Sequence, residues 1–203
     1  MSLKARVLAA LLASASTTTV STPPDWTEVP IPRSAPNLAE KKGPATDGDD
    51  DAPVLATLSQ VHTAERIALD ARSSPTQAEF DALLSDRSTG EQRALDTQLL
   101  VLLRALAAQH PGSRIELVSG YRSWKLNEML RKKGHHVASH SQHSLGHACD
   151  FRIVPPSAEV AIDPRVIEQE IRKLGWEGGV GVYPTTADWF VHADVGRNRR
   201  WVN

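Results

Sequence analysis

The stretch Ser141-Gln142-His143-Ser144-Leu145-Gly146-His147-Ala148-Cys149-Asp150 and the later Phe190-Val191-His192-Ala193-Asp194 contain the residues best suited to chemistry. His143, Asp150 and His192 form a set of two imidazoles and one carboxylate, the donor set of a three-ligand catalytic zinc site. Such a site leaves a fourth position for water, which the metal acidifies to a pKa near ~7. Gly146 permits a tight bend after His143, and Asp150 falls in the apolar strand that follows, so a loop and a strand can aim both side chains at one point. In the second stretch alternation puts Phe190, His192 and Asp194 on one face, with Val191 and Ala193 on the other. Asp150, between Cys149 and Phe151, is a carboxylate in apolar surroundings and needs a partner or a metal. Cys149 points to the opposite face and is expected to be an inert core thiol. The same three ligand types also suit other divalent metals, including iron.

These residues need a scaffold. Leu55–Val61 and Glu65–Leu69 look like two strands around His62-Thr63-Ala64. Ser74-Pro75 marks a helix start, with Phe80, Leu83 and Leu84 as its buried face. Asp96 is suited to cap a helix whose Leu99, Leu102, Leu103 and Leu106 recur at helical spacing, and Pro111-Gly112 stops it. Ile115–Ser119 reads as a strand, Ser123–Lys133 as a helix ended by Gly134, Ala148–Val154 as a strand and Pro164–Leu174 as a helix. Gly179–Tyr183 and Trp189–Val195 should close the fold as a hairpin. The expected class is α+β, a small antiparallel sheet flanked by helices.

The chain has 203 residues, 40% hydrophobic and 23% charged, which suits one soluble domain with tails. A net charge of −1 offers no electrostatic case for nucleic acid. With a single cysteine there is no intramolecular disulfide, and no apolar run reaches the roughly 18 residues of a membrane span. Lys4 and Arg6 before Val7–Leu12, then Ala13-Ser14-Ala15, have the order of a secretory signal, so residues 1–15 are expected to direct export to the periplasm or beyond. No stable membrane insertion is expected after cleavage. Residues 16–53, rich in Thr, Pro, Ser and Asp, read as a disordered linker in which Trp26 and Val29–Ile31 dock at most locally. The acidic run over residues 47–51 reads as solvated. The ordered domain spans 54–203.

Taken in order, Ser119-Gly120-Tyr121-Arg122-Ser123, Ser141-x-His143-x-x-Gly146-x-Ala148-x-Asp150 and Gly178-Gly179-Val180-Gly181-Val182-Tyr183-Pro184 leading to Phe190-Val191-His192-Ala193-Asp194 resemble the zinc D-Ala-D-Ala peptidase and hedgehog superfamily. The nearest branch is the bacterial murein endopeptidases of the YcbK/MepK type, and the likeness extends over Leu55–Trp201, including Leu84–Glu91. The resemblance implies a hedgehog/DD-peptidase-like fold, one Zn2+ per chain on His143, Asp150 and His192, and hydrolysis of peptide bonds in peptidoglycan. It further implies that Arg122 holds a substrate carboxylate or polarises the scissile carbonyl, and that Ser141 and Gln142 line the cleft. Many relatives carry a histidine two residues before the last ligand, where this chain has Phe190. Asp194 is therefore the first candidate for general base or for support of His192, and Asp188 the second. His135, His136, His140 and His147 read as loop residues. A D-Ala-D-Ala carboxypeptidase and a catalytically idle, wall-binding metal module are the alternatives, as is a cytoplasmic dipeptidase should the signal be illusory.

Overall fold

In the computed structural model, which describes residues 53–134, 138 and 140–203, the first two runs pair as an antiparallel hairpin, β1 (Val54–Gln60) and β2 (Arg66–Asp70). Ala64 takes a positive φ of 60° in the turn, and its N–H donates to the Gln60 carbonyl. Helix α1 (Gln77–Leu83) starts later than Ser74-Pro75 suggests, because Thr76 is the residue that caps it. Its hydroxyl accepts from the Glu79 N–H while the Glu79 carboxylate accepts from the Thr76 N–H, a reciprocal capping box. Asp96 caps α2 (Thr97–Gln109), whose Leu99, Leu102, Leu103 and Leu106 are all buried. Then follow β3 (Ser113–Ser119), α3 (Trp124–Lys132, capped by Ser123), a one-turn helix α4 (Gln142–Leu145), β4 (Ala148–Val154), α5 (Pro164–Lys173), and β5 (Gly179–Pro184), β6 (Trp189–Asp194) and β7 (Arg199–Val202).

The sheet corrects the expectation of a small antiparallel one. It has seven strands in the order β2-β1-β3-β4-β6-β5-β7, and two of its pairings, β1 with β3 and β5 with β7, are parallel. The first becomes available because β2, α1 and α2 together form a crossover long enough to bring the chain back in the same direction. The second arises because the chain leaves β6 and returns on the far side of β5 as a short edge strand that the expected hairpin did not include.

One face of this sheet is the core. Leu58, Leu117, Phe151, Ile153, Val191 and Ala193 alternate along their strands and pack against α1, α2 and α5, most of them with no exposure at all. Cys149 belongs to the same face and is fully buried, and burial pushes its thiol pKa up. The alternate residues point the other way: Asp150 on β4, His192 and Asp194 on β6, Gly181 and Tyr183 on β5 and Trp201 on β7. Among the described residues no helix is long and apolar enough to cross a membrane. Residues 1–52, including the signal, Trp26 and the acidic run, and His135 and His136 lie outside the described residues.

Candidate metal centre

Sheet register brings the outer-face residues together. Asp150 on β4 lies directly opposite His192 on β6, and Gly181 on β5 lies opposite His192 on the other side. His143 reaches the same point from α4 rather than from an irregular loop. Ser141 precedes that turn and Gly146 ends it with a left-handed φ of 77°, a conformation open to glycine at no steric cost.

Each imidazole is oriented by a partner on its far side. The His143 Nδ1–H donates to the Gly120 carbonyl at 2.7 Å, which leaves Nε2 facing the cluster. The His192 Nε2–H donates to Asp194 Oδ2 at 2.9 Å, which leaves Nδ1 facing it. Such outer partners hold ligand tautomers in place around metals. The two free nitrogens are 3.2 Å apart, and Asp150 Oδ1 lies 3.2 Å from His143 Nε2 and 2.8 Å from His192 Nδ1. A tetrahedral ion with bonds of about 2.0–2.1 Å needs ligand atoms about 3.3 Å apart. Two edges of the triangle already meet that spacing, and the third needs to open by about half an ångström. The donor set therefore fits a divalent ion.

The electrostatics agree. Burial opposes ionisation of Asp150, but the charges and hydrogen bonds of His143 and His192 hold its carboxyl well below the usual range. Burial also lowers the His143 pKa. Burial would lower that of His192 too, yet hydrogen bonds to Asp150 and Asp194 push it up to about 9. Two carboxylates around His192 thus make this a position that favours positive charge.

Arg122 stands beside the triangle. Its Nη2 is 3.7 Å from Asp150 Oδ2 and 3.3 Å from the Ser119 hydroxyl, and its backbone N–H donates to the His143 carbonyl at 3.2 Å. Burial lowers its pKa and Asp150 opposes that shift. Asp194 has no exposure and is occupied on both oxygens. Oδ2 accepts from His192 and from Arg199 Nη2 at 2.8 Å, and Oδ1 accepts from the Gly196 N–H at 2.8 Å and from Arg199 Nη1 at 3.2 Å. Ser141 and Gln142 flank His143 in sequence; Ser141 is buried and Gln142 partly so. Asp188 sits in the exposed β5–β6 turn, where its N–H donates to Thr185, and the structure does not bring it to the triangle.

Residues without an assigned role in the sequence complete the setting. Arg199 clamps Asp194. Trp201 lies against His192, with ring centroids 5.2 Å apart, and its Nε1–H donates to the Tyr183 hydroxyl at 3.2 Å. Tyr183 stacks on Phe190 at 4.4 Å and interacts electrostatically with Asp150 and Arg122. The available signal was Gly179 and Gly181 alternating within an apolar strand, a pattern that marks close approach. A Cβ at Gly181 would lie 2.3 Å from the Trp201 ring, and one at Gly179 would lie 2.4 Å from Asp194 Oδ2.

A mixed sheet carries on its outer face a buried His-Asp-His triangle that could hold a metal ion, with an arginine beside it and both imidazoles oriented. A family model described as peptidoglycan L,D-endopeptidase MepK matches residues 52–201. The probable peptidoglycan L,D-endopeptidase MepK of Haemophilus influenzae is 31% identical over 156 residues, covering 73% of this chain and 79% of the relative. The peptidoglycan L,D-endopeptidase MepK of Escherichia coli K12 is 32% identical over 161 residues, covering 73% and 80%. No solved structure matches the chain. The chain belongs to the MepK peptidase family and is a peptidase.

Proposed function

We propose that this protein is a zinc-dependent murein endopeptidase that hydrolyses peptide bonds in peptidoglycan stem peptides or their cross-links. The observation that carries the reading is the His143–Asp150–His192 triangle with Arg122 at its edge, within a chain matched over residues 52–201 by a peptidoglycan endopeptidase family. One zinc ion per chain would be held by His143 Nε2, Asp150 Oδ1 and His192 Nδ1. When bound, it supplies a Lewis acid and an acidified water. A hedgehog/DD-peptidase-like fold, export through residues 1–15, a linker over 16–53 and a peptidase domain over 54–203 belong to the same proposal.

The protein's own groups divide the work. Gly120 and Asp194 hold the two imidazoles in the tautomers that present their free nitrogens. Arg122, buried and cationic beside the ligand carboxylate, binds a substrate carboxylate or polarises the scissile carbonyl. Tyr183 accepts from Trp201 and keeps its own proton to donate to the carbonyl oxygen as negative charge develops there. With Asp194 occupied by His192, Gly196 and Arg199, its role is to position His192. Asp188 becomes the carboxylate that carries the proton if the β5–β6 turn folds over bound substrate. Ser141 and Gln142 border the cleft on the α4 side.

Purified protein supplied with zinc should release monomeric muropeptides from cross-linked sacculi, stop with chelator and resume on zinc addition. Release of free D-Ala with cross-links intact would replace the endopeptidase by a carboxypeptidase. Metal binding without any product would leave the idle wall-binding module, the reading that Phe190 in place of a histidine favours.

A further inference from the structure

Strand β7 adds nothing to the interior of the domain: among the described residues the hydrophobic core takes none of its four. Arg200 and Val202 on one of its faces are exposed, while Arg199 and Trp201 on the other are partly buried against Asp194 and His192. Polar contacts fasten the strand instead. Arg200 Nε lies 3.1 Å from the buried Glu168 carboxylate of α5. Arg172, also on α5, donates to the Arg199 carbonyl at 2.8 Å and to the Asn198 side-chain oxygen at 3.1 Å. What distinguishes β7 is therefore the pair of side chains it presents to the site.

Register explains how they reach it. Gly179 on β5 lies opposite Arg199 on β7 and Asp194 on β6, and Gly181 lies opposite Trp201 and His192 in the same way. Strands β7 and β6 are two strand spacings apart, about 9.5 Å, and any side chain on β5 would stand between them. A Cβ on Gly179 would lie 2.4 Å from Asp194 Oδ2 and 2.9 Å from Arg199 Nη1. One on Gly181 would lie 2.3, 2.4 and 2.7 Å from three atoms of the Trp201 indole. The two glycines thus open two slots, one passing Arg199 to Asp194 and the other passing Trp201 to His192. The Arg199 guanidinium also lies over the indole, 4.9 Å from its centroid, so the two side chains support each other.

We propose that Trp201 is a positioning residue for the reaction: its ring braces the His192 imidazole and its N–H aims the Tyr183 hydroxyl. The indole meets an imidazole whose Nε2–H is already committed to Asp194, so packing and hydrogen bond together restrict rotation of that ring. The Trp201 Nε1–H fills one acceptor position of the Tyr183 hydroxyl and turns the phenolic proton away from the indole. An indole N–H can only donate, so the direction of this bond is fixed. The brace requires only that the triangle binds metal; the aim of Tyr183 rests on the endopeptidase reading.

The test uses the full chain loaded with zinc, cross-linked muropeptide as substrate and a chromophoric chelator to read zinc affinity. Trp201→Phe keeps an aromatic ring against His192 and loses the N–H. It should retain the wild-type zinc affinity and KM and lower kcat roughly tenfold, the scale of one hydrogen bond. In a Tyr183→Phe background the same change should cost less than about twofold, because no hydroxyl is left to aim. Equal losses in the two backgrounds would mean general loosening and overturn the aiming role. Trp201→Ala should weaken zinc binding by about tenfold with the fold kept, and Gly181→Ala, which displaces the indole without altering it, should do the same. Unchanged zinc affinity in both folded variants would overturn the brace. Weaker zinc binding in Trp201→Ala beside a wild type that hydrolyses nothing would uphold the brace and sink the endopeptidase reading. Normal hydrolysis, with zinc affinity and kcat unmoved by all three changes, would do the reverse.

Discussion

Replacing Asp194 by Asn separates its two conceivable roles, positioning His192 and acting as general base. The carboxylate accepts four hydrogen bonds, from His192, Gly196 and twice from Arg199, and it has no exposure. Asparagine offers one acceptor oxygen and a donor amide, so the amide must face Arg199 together with either His192 or the Gly196 N–H, all of which are donors there. Loss of a partner behind a metal-bound histidine weakens metal affinity by about 10- to 100-fold, which is about 1.4–2.8 kcal/mol. The Arg199 side chain is 33% exposed, so its ion pair is counted at no more than about 1 kcal/mol. Adding one charge-assisted hydrogen bond of about 1.5–3 kcal/mol gives a folding cost of about 2–4 kcal/mol. That corresponds to a Tm lower by roughly 5–15 °C. Zinc affinity would be read by competition with a chromophoric chelator, and hydrolysis of cross-linked muropeptide at limiting and saturating zinc. The expected result is weaker zinc binding, with kcat recovered to within about tenfold of wild type at saturating metal, far short of the roughly 10²–10⁴-fold loss that removal of a general base brings. Unchanged zinc affinity together with a kcat loss of about 100-fold or more would refute the positioning role and make Asp194 the base.

Tyr183→Phe keeps the ring stacked on Phe190 and removes only the hydroxyl, so kcat should fall roughly 100-fold with zinc affinity unchanged; an unaltered kcat would remove Tyr183 from the reaction. Cys149 is on the core face, so Cys149→Ala should retain zinc binding and the native thiol should resist alkylation, whereas loss of zinc in a folded variant would make it a ligand. Gly120→Ala places a Cβ 2.4 Å from the Leu84 side chain and 2.5 Å from the Leu84 carbonyl oxygen, so the turn must shift. Its Tm should drop, and muropeptide KM should rise as Arg122 moves; a wild-type Tm and KM would show that the contact relaxes at no cost.

How much of this was legible follows from the range of each interaction. His143, Asp150 and His192 stood out because each sits in a short local pattern, and sheet register then supplied the convergence. The alternation that placed Cys149 on the core side and Asp150 on the other is equally local. The parallel pairings were not legible, because they depend on where the chain lands after a crossover. Strand β7 is not legible for a related reason: Arg199-Arg200-Trp201-Val202 has a weak strand pattern and is held by pairing with β5. With it went Arg199 and Trp201, which act on Asp194 and Tyr183 only once β7 is in place. Helix α1 starts after Thr76 rather than at Ser74-Pro75 because the latter is a generic signal, whereas Thr76 and Glu79 complete a reciprocal cap.

The segment Leu84–Glu91, which contributes no ligand, has a physical role in the site. Asp86 is buried, and although burial opposes its ionisation, hydrogen bonds from Ser123 and Ser88 hold its carboxyl well below the usual range. One oxygen accepts the Ser123 N–H at 2.6 Å, and the other accepts from the Ser88 N–H, the Ser88 hydroxyl and the Thr89 N–H. The Leu84 carbonyl accepts from the Tyr121 N–H at 2.8 Å, and the Tyr121 hydroxyl donates to Glu91 at 3.1 Å. The Gly120–Ser123 turn is thus gripped from outside by this segment, and from inside by the two bonds that join Gly120 and Arg122 to His143. Arg122 and His143 are therefore tied to one turn, while Asp150 and His192 are held opposite each other by adjacent strands. The site is two hydrogen-bonded halves meeting at a point, so the alignment of Arg122 with the His143–Asp150–His192 triangle depends on a loop that supplies none of those residues.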